Sequence, residues 1–235
     1  MEHLCEQYSD DWTRLRMGKP TASMFHTIIT PTGKATDSKD RRKYMFRLVT
    51  ERLIGQAMDD NPETYWMRRG SDLEEQALKA FFDQKGPFGR KAGFFTSMKD
   101  RVGASPDYII KEMVGLEIKC PAPYTQTEYI IDGLGDKYKA QVQGQMMVCG
   151  FLTMHFWSWH PLMPPVHVVT QRDQDYIINL VSALDKFCKD LDDNTEFAAG
   201  KGTFRLAEKL RLSDEMSSVG DILDSLKRED NNDPV

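Results

Sequence analysis

The segment that most constrains this chain is Ser105-Pro106-Asp107, followed after nine further residues by Glu117-Ile118-Lys119. Between 93 and 120, short apolar runs are separated by Lys99-Asp100, Ser105-Pro106 and Lys111-Glu112, which reads as three or four antiparallel strands. Side chains alternate faces along a strand, so Glu117 and Lys119 share one face while Leu116 and Ile118 point toward a core. A turn spanning Glu112 to Gly115 folds 107–110 back against 116–119 and sets Asp107 opposite or nearly opposite Lys119. Two carboxylates and an ammonium then meet at one end of a hairpin. Burying such charges costs several kcal/mol per ion unless they are compensated. A hard divalent cation would do so: magnesium takes one or two carboxylates together with waters and phosphate oxygens. Bound there, it would polarise a phosphodiester and acidify a water. Lys119 would orient or deprotonate that water and offset developing negative charge. A surface hairpin with an ordinary Glu/Lys alternation is the other reading, because E-x-K is a common pattern.

The rest of the chain supplies helices to cover such a sheet. Residues 10–30 read as a helix or turn entering through Asp10-Asp11-Trp12, then a short helix that Thr21 or Ser23 caps. Residues 31–40 are a loop by composition. The stretch 39–54 is an amphipathic helix with Met45, Leu48, Val49 and Leu53 inward and Arg41, Arg42, Lys43 and Arg47 on or near the other side. Residues 59–63 break it, and a helix from about Ser71 to Gln84 stops at Lys85-Gly86-Pro87. Helix returns over 136–149, and strands follow over 152–160 and 166–170 with three prolines between them. A long helix starts at Asp173 or Asp175 and runs to about Leu191, burying Ile177, Leu180, Leu184, Phe187 and Leu191. This order gives an α/β domain with a central mixed sheet flanked by helices. Its expected extent is 1–195, with basic N-terminal helices over 10–55 and a core over 65–195. Residues 196–235 form an extension, partly helical, with an acidic disordered end.

Charge bears on the partner. The net charge is −5 at pH 7, yet residues 11–50 hold nine Lys/Arg against three Asp/Glu, whereas 214–235 hold seven Asp/Glu against two Lys/Arg. The positive charge is concentrated near the N-terminus, which leaves a phosphate-binding face open alongside ordinary solvated helices. Four scattered cysteines, at 5, 120, 149 and 188, show no metal-site spacing and read as reduced thiols of a cytosolic protein. The first residues lack the basic and apolar regions of a signal peptide. No run nears the roughly 18 apolar residues of a membrane span.

The D-x9-E-x-K pattern resembles the core of the PD-(D/E)xK nucleases, with a restriction-endonuclease-like fold. The wider pattern is similar to the phage lambda exonuclease (YqaJ-type viral recombinase) group. It comprises Trp12-x3-Arg16-x-Gly18-x2-Thr21-Ala22-Ser23, Gly70-x3-Glu74, Ser105-Pro106-Asp107, residues 115–121 (GLEIKCP) and Ala140-Gln141-Val142-Gln143. The blocks fall in the family's order over roughly residues 8–195.

The resemblance implies a 5′→3′ exonuclease that degrades linear double-stranded DNA to mononucleotides, leaving a 3′ overhang for recombination by strand annealing. It makes Asp107, Glu117 and the carbonyl of Ile118 ligands of magnesium, two ions per site, with manganese able to substitute. Lys119 becomes the catalytic lysine, Glu74 projects toward the metal, and Gln141 positions water or phosphate. Arg16, Ser23 and Ser105 correspond to a pocket for the terminal 5′-phosphate. It further implies a ring-shaped homotrimer, a phage single-strand annealing protein as partner, and the host cytoplasm as location. Other readings stay open from the residues themselves. Ser71-x-x-Glu74 is also a capping box, Gln141, Gln143 and Gln145 also suit an exposed helix face, and Arg16 also suits a solvated surface. Trp157 and Trp159 read as core or subunit contacts, and His155, His160 and His167 as structural. A structure-specific or single-strand nuclease of the RecB or Cas4 type is the second functional reading, although scattered cysteines speak against the iron–sulfur cluster usual in the latter. A non-catalytic DNA-binding module is the third.

Overall fold

The computed structural model describes residues 1–58, 65–86 and 89–200. The chain divides after Leu191; of the second part the described residues 192–200 are helical. The breaker at 59–63 and most of the acidic extension lie outside the described residues.

Ten elements lead from the N-terminus to the hairpin: β1 (Glu2–His3), α1 (Asp10–Arg16), a 3-10 helix (Ala22–Thr27), α2 (Lys39–Ile54), α3 (Tyr65–Lys85), β2 (Arg90–Lys91), β3 (Phe94–Ser97), β4 (Val102–Ala104), β5 (Tyr108–Lys111) and β6 (Val114–Lys119). Then come α4 (Pro123–Ile131), α5 (Lys139–Cys149), β7 (Thr153–His160), β8 (Met163–Gln171) and a helix over 174–200, α6. The antiparallel strands read between 93 and 120 belong to two sheets: β1-β3-β4, and a five-stranded sheet in the order β2-β5-β6-β7-β8. In the second sheet only β6 and β7 run parallel, so the sheet is mixed.

Strand β6 has helices on both faces. Leu116 and Ile118 pack with Ala77 and Phe81 of α3 and with Trp157 of β7, whose indole Nε1 donates to Ala77 O at 3.1 Å. Burial of each aliphatic side chain contributes roughly 1.5–3 kcal/mol. The opposite face meets α5. Gly144 on that helix abuts the 3-10 helix, where a Cβ would come within 2.5 Å of Phe25 Cδ2. Helix α6 begins with Asp173 Oδ1 accepting from Tyr176 N at 3.0 Å and buries all five expected apolar residues.

Several expectations need correction. Helix α3 begins at Tyr65, six residues before Ser71, so Glu74 lies within the helix rather than in a box at its start. Leu53 is 45% exposed; the inward stripe of α2 is Tyr44, Met45, Leu48 and Val49, with Glu51 beside it. Arg41 and Arg47 lie closer to the interior than a solvated face would put them, Arg41 pairing with Asp190 at 2.7 Å. Strand β8 includes Pro164 and Pro165, which is possible because it is the sheet edge and owes no amide donors outward. Helix α4, with proline at its start, was not anticipated.

Candidate active site

The hairpin turn is tighter than the alternation alone indicates. Lys111 pairs with Val114, leaving Glu112 and Met113 between the strands, Met113 with φ 59°. Two-residue hairpin turns use such positive φ values. The register therefore sets Asp107 beside Leu116–Ile118 and not beside Lys119. Its amide donates to Leu116 O at 3.1 Å, and its Oδ2 accepts from Ile118 N at 2.5 Å.

Glu117 is only 2% exposed and every partner is supplied from nearby. Oε1 accepts from Gln141 Nε2 at 2.6 Å and from the Lys119 ammonium; Oε2 accepts from Gln145 Nε2 at 2.6 Å. Gln141 and Gln145 lie one turn apart on α5, so one helix face holds both oxygens of one carboxylate. Gln145 escaped the sequence reading as a site residue, although its i, i+4 relation to Gln141 was visible. The Gln145 Oε1 atom is buried without a hydrogen-bond partner among the described residues. Gln143 points elsewhere, bonding Gln171 O and Asp173 N, each at 2.9 Å, and so fixes the β8–α6 junction.

The charges respond to this crowding. Burial, then the neighbouring Glu117, pushes the Asp107 carboxyl well above the usual range. Glu74 is raised for the same two reasons in the same order. For Lys119 burial favours the neutral amine, but Glu117 and Asp107 more than reverse it and hold the ammonium. Cys120 beside it is pushed up to about 12, chiefly by burial.

Glu74, Asp107 and Ile118 line a cleft of about 820 Å³ whose other wall is the segment 4–8. Gly70 brings α3 against the end of β6, where a Cβ would sit 3.4 Å from Cys120 O, and Glu74 follows one turn later. Of the remaining three residues, Arg16 and Ser105 meet through Trp12, whereas Ser23 lies on a separate chain of contacts. The Arg16 guanidinium lies 4.3 Å from the centre of the Trp12 ring, and Trp12 Nε1 donates to Ser105 Oγ at 3.1 Å. Ser23 Oγ is 3.3 Å from Thr21 Oγ1, and Thr21 N donates to the buried Tyr44 hydroxyl at 3.0 Å. Burial raises the Tyr44 phenol, against the hydrogen bonds of Thr21 and the charges of Arg47 and Arg16.

Among the described residues no group of three or more His, Cys, Asp and Glu is placed to hold a metal. The protein's acidic share beside β6 is therefore the pair Asp107 and Glu117. Of the two, Asp107 lines the cleft while Glu117 is enclosed behind it, and their hard oxygens are of the kind a magnesium ion takes. His155 Nδ1 and His167 Nε2 lie 3.1 Å apart against Phe81, and burial first lowers both pKa values. All four cysteines are free thiols. No described helix is long and apolar enough to cross a membrane.

The pattern of the YqaJ-like viral recombinase domain matches residues 11–152, more than half of the chain. The chain belongs to this family. Recombinase-family membership agrees with the fold: an alkaline exonuclease from Laribacter hongkongensis (LHK-Exo) superposes with a TM-score of 0.74 at 26% identity. That alignment covers 83% of this chain and 98% of the exonuclease. The same enzyme in complex with dAMP matches at 27% identity with equal coverage and TM-score. A phage-related exonuclease from Haemophilus somnus 129PT shares the fold at a TM-score of 0.56 and 19% identity, over 75% of this chain and 96% of its own. No curated protein matches this recombinase-family chain.

Proposed function

We propose that this recombinase-family chain is a magnesium-dependent 5′→3′ exonuclease acting on linear double-stranded DNA. The observation that carries the reading is the buried Glu117 carboxylate, held through both oxygens by Lys119, Gln141 and Gln145 beside Asp107. Ordinary surface alternation would leave Glu117 in water. The fold likeness to an alkaline exonuclease supports the reaction class.

Asp107, Glu117 and the carbonyl of Ile118 would hold the cation, which supplies a polarised phosphate and an acidified water when bound. Lys119, kept protonated by its carboxylate neighbours, orients the attacking water and offsets charge gathering on the phosphate oxygens. The Gln141 amide, tied to Glu117, is placed to align the same water or a phosphate oxygen. Glu74 faces the cleft from α3, its carboxyl raised by burial and then by Glu117, and is placed to meet the leaving group. Arg16, Ser23 and Ser105 would grip a terminal 5′-phosphate, the guanidinium stiffened by its place over Trp12. A ring of three copies encircling DNA would explain how a chain with net charge −5 holds a polyanion, by facing its basic N-terminal elements inward.

The test is a magnesium time course on linear duplexes labelled at the 5′ or the 3′ end, beside a closed circle. The 5′ label is lost first and the circle survives. A 5′-hydroxyl end is cut more slowly than a 5′-phosphate end. Cutting of the circle, or early loss of the 3′ label, would overturn the assignment in favour of a structure-specific nuclease.

A further inference from the structure

The cleft beside Asp107 has one wall that phosphodiester hydrolysis leaves unexplained. Residues 4–8, between β1 and α1, run along it opposite Glu74 and Ile118. The segment is pinned in place. Gln7 Nε2 donates to Pro106 O at 3.0 Å, while Ser9 closes a turn by donating to Glu6 O from its amide at 3.2 Å and its hydroxyl at 2.6 Å. Tyr8 is the third residue of that turn and has φ 66°.

That backbone region favours glycine and disfavours a bulky side chain. A tyrosine there is held against its local preference, and such strain gathers where a chain meets a ligand. Packing does not account for it either, because Tyr8 is 71% exposed. Its ring instead projects beside the buried Trp12. Trp12 lies 5.2 Å away at 45°, and the Arg16 guanidinium covers Trp12. Tyr8 lines the same cleft as Glu74 and Asp107, which sets the side chain beside the proposed reaction site.

We propose that Tyr8 is a substrate-contacting residue whose ring stacks on the nucleobase adjoining the phosphodiester at Asp107 and Glu117. The proposal rests on the nuclease reading above and names how that site holds the nucleotide. A flat, neutral, exposed ring suits this place better than a cation, which the carboxylates would draw inward. Every base has a π-face, so the contact tolerates all four bases, as an enzyme degrading arbitrary sequence requires. The buried Trp12 then lies between Tyr8 and Arg16, linking the base contact to the proposed terminal-phosphate pocket.

The test uses the full chain and duplexes carrying 2-aminopurine at the first or the second 5′ nucleotide, with calcium replacing magnesium to hold the end uncut. Stacking on Tyr8 quenches the probe at one of the two positions. Tyr8→Phe keeps the quench, whereas Tyr8→Ala loses it and binds the end about tenfold more weakly. An abasic residue at the quenched position brings wild type and Tyr8→Ala to equal affinity. Undiminished quenching in Tyr8→Ala, or an unchanged affinity gap on the abasic end, would overturn the proposal. The two readings fail separately. Quenching without cleavage in magnesium removes the nuclease assignment and keeps the Tyr8 contact; cleavage with Tyr8→Ala indistinguishable from wild type in both assays removes the contact alone.

Discussion

Helices α3 and α5 both present polar side chains to the carboxylates at β6, and they do so in opposite ways. On the α5 side, Gln141 and Gln145 each sit 2.6 Å from Glu117, and Gln145 is 1% exposed. On the α3 side, Glu74 opens onto a cleft of about 820 Å³. One face fixes a carboxylate before anything arrives. The other leaves a carboxyl free to meet an incoming group. Pre-positioning stabilises a reacting charge because the protein need not reorganise when that charge develops. A site that also admits and releases a polymer must keep its other wall open.

Removing the ammonium between these faces has the largest expected effect. Lys119→Ala should keep DNA-end binding and lose roughly a thousandfold or more in hydrolysis, the scale of a positioned acid–base or charged group. Single-turnover rates and end-binding titrations measured together check this. Full activity would end the distinction between the two faces, since the group joining them would be idle. Next is Gln145→Leu against Glu74→Gln. Loss of the Gln145 amide leaves Glu117 Oε2 without its donor and should raise the magnesium needed for half-maximal rate by about 10–100-fold. Glu74→Gln should lower the maximal rate with a smaller shift in that midpoint. The reverse pattern in a magnesium titration would exchange the roles of the two helices. Gln145→Asn, too short to reach, should behave like the leucine variant.

The smallest effect concerns α3 packing alone. His155 and His167 have pKa values lowered by burial, so the folded protein binds fewer protons than the unfolded chain near the ordinary value of about 6.5. Stability is therefore retained above that value and lost as pH falls below it, through the lowered folded values. Melting temperatures at pH 7.5 and 5.5 should differ by a few degrees, with His167→Gln narrowing the gap. A gap that persists in full would place the acid sensitivity outside this histidine pair, and not at Asp107 or Glu74, whose raised carboxyls act in the opposite sense.

The reach of the sequence can be judged at particular residues. Glu117 and Lys119 were legible because alternation is a local rule, and the apolar neighbours Leu116 and Ile118 fixed which way it ran. The partner of Asp107 was not, because register depends on how tightly Glu112 and Met113 turn. The role of Gln145 was hidden for a related reason: spacing placed it with Gln141, but only the fold brings Glu117 against that face. Ser71 offered a local capping signal inside a helix that tertiary packing extends back to Tyr65. The two-residue β1 left no periodic trace, although its sheet partners β3 and β4 fell among the strands read between 93 and 120.

Gly144 links two parts of the site. The helix that immobilises Glu117 through Gln141 and Gln145 touches, at Gly144, the short helix bearing Ser23. Any side chain introduced there must push these elements apart, so the proposed end-binding and hydrolytic groups would drift in concert. Selection for a looser hold on ends would then have to work through other positions, because along this contact the two properties are mechanically yoked.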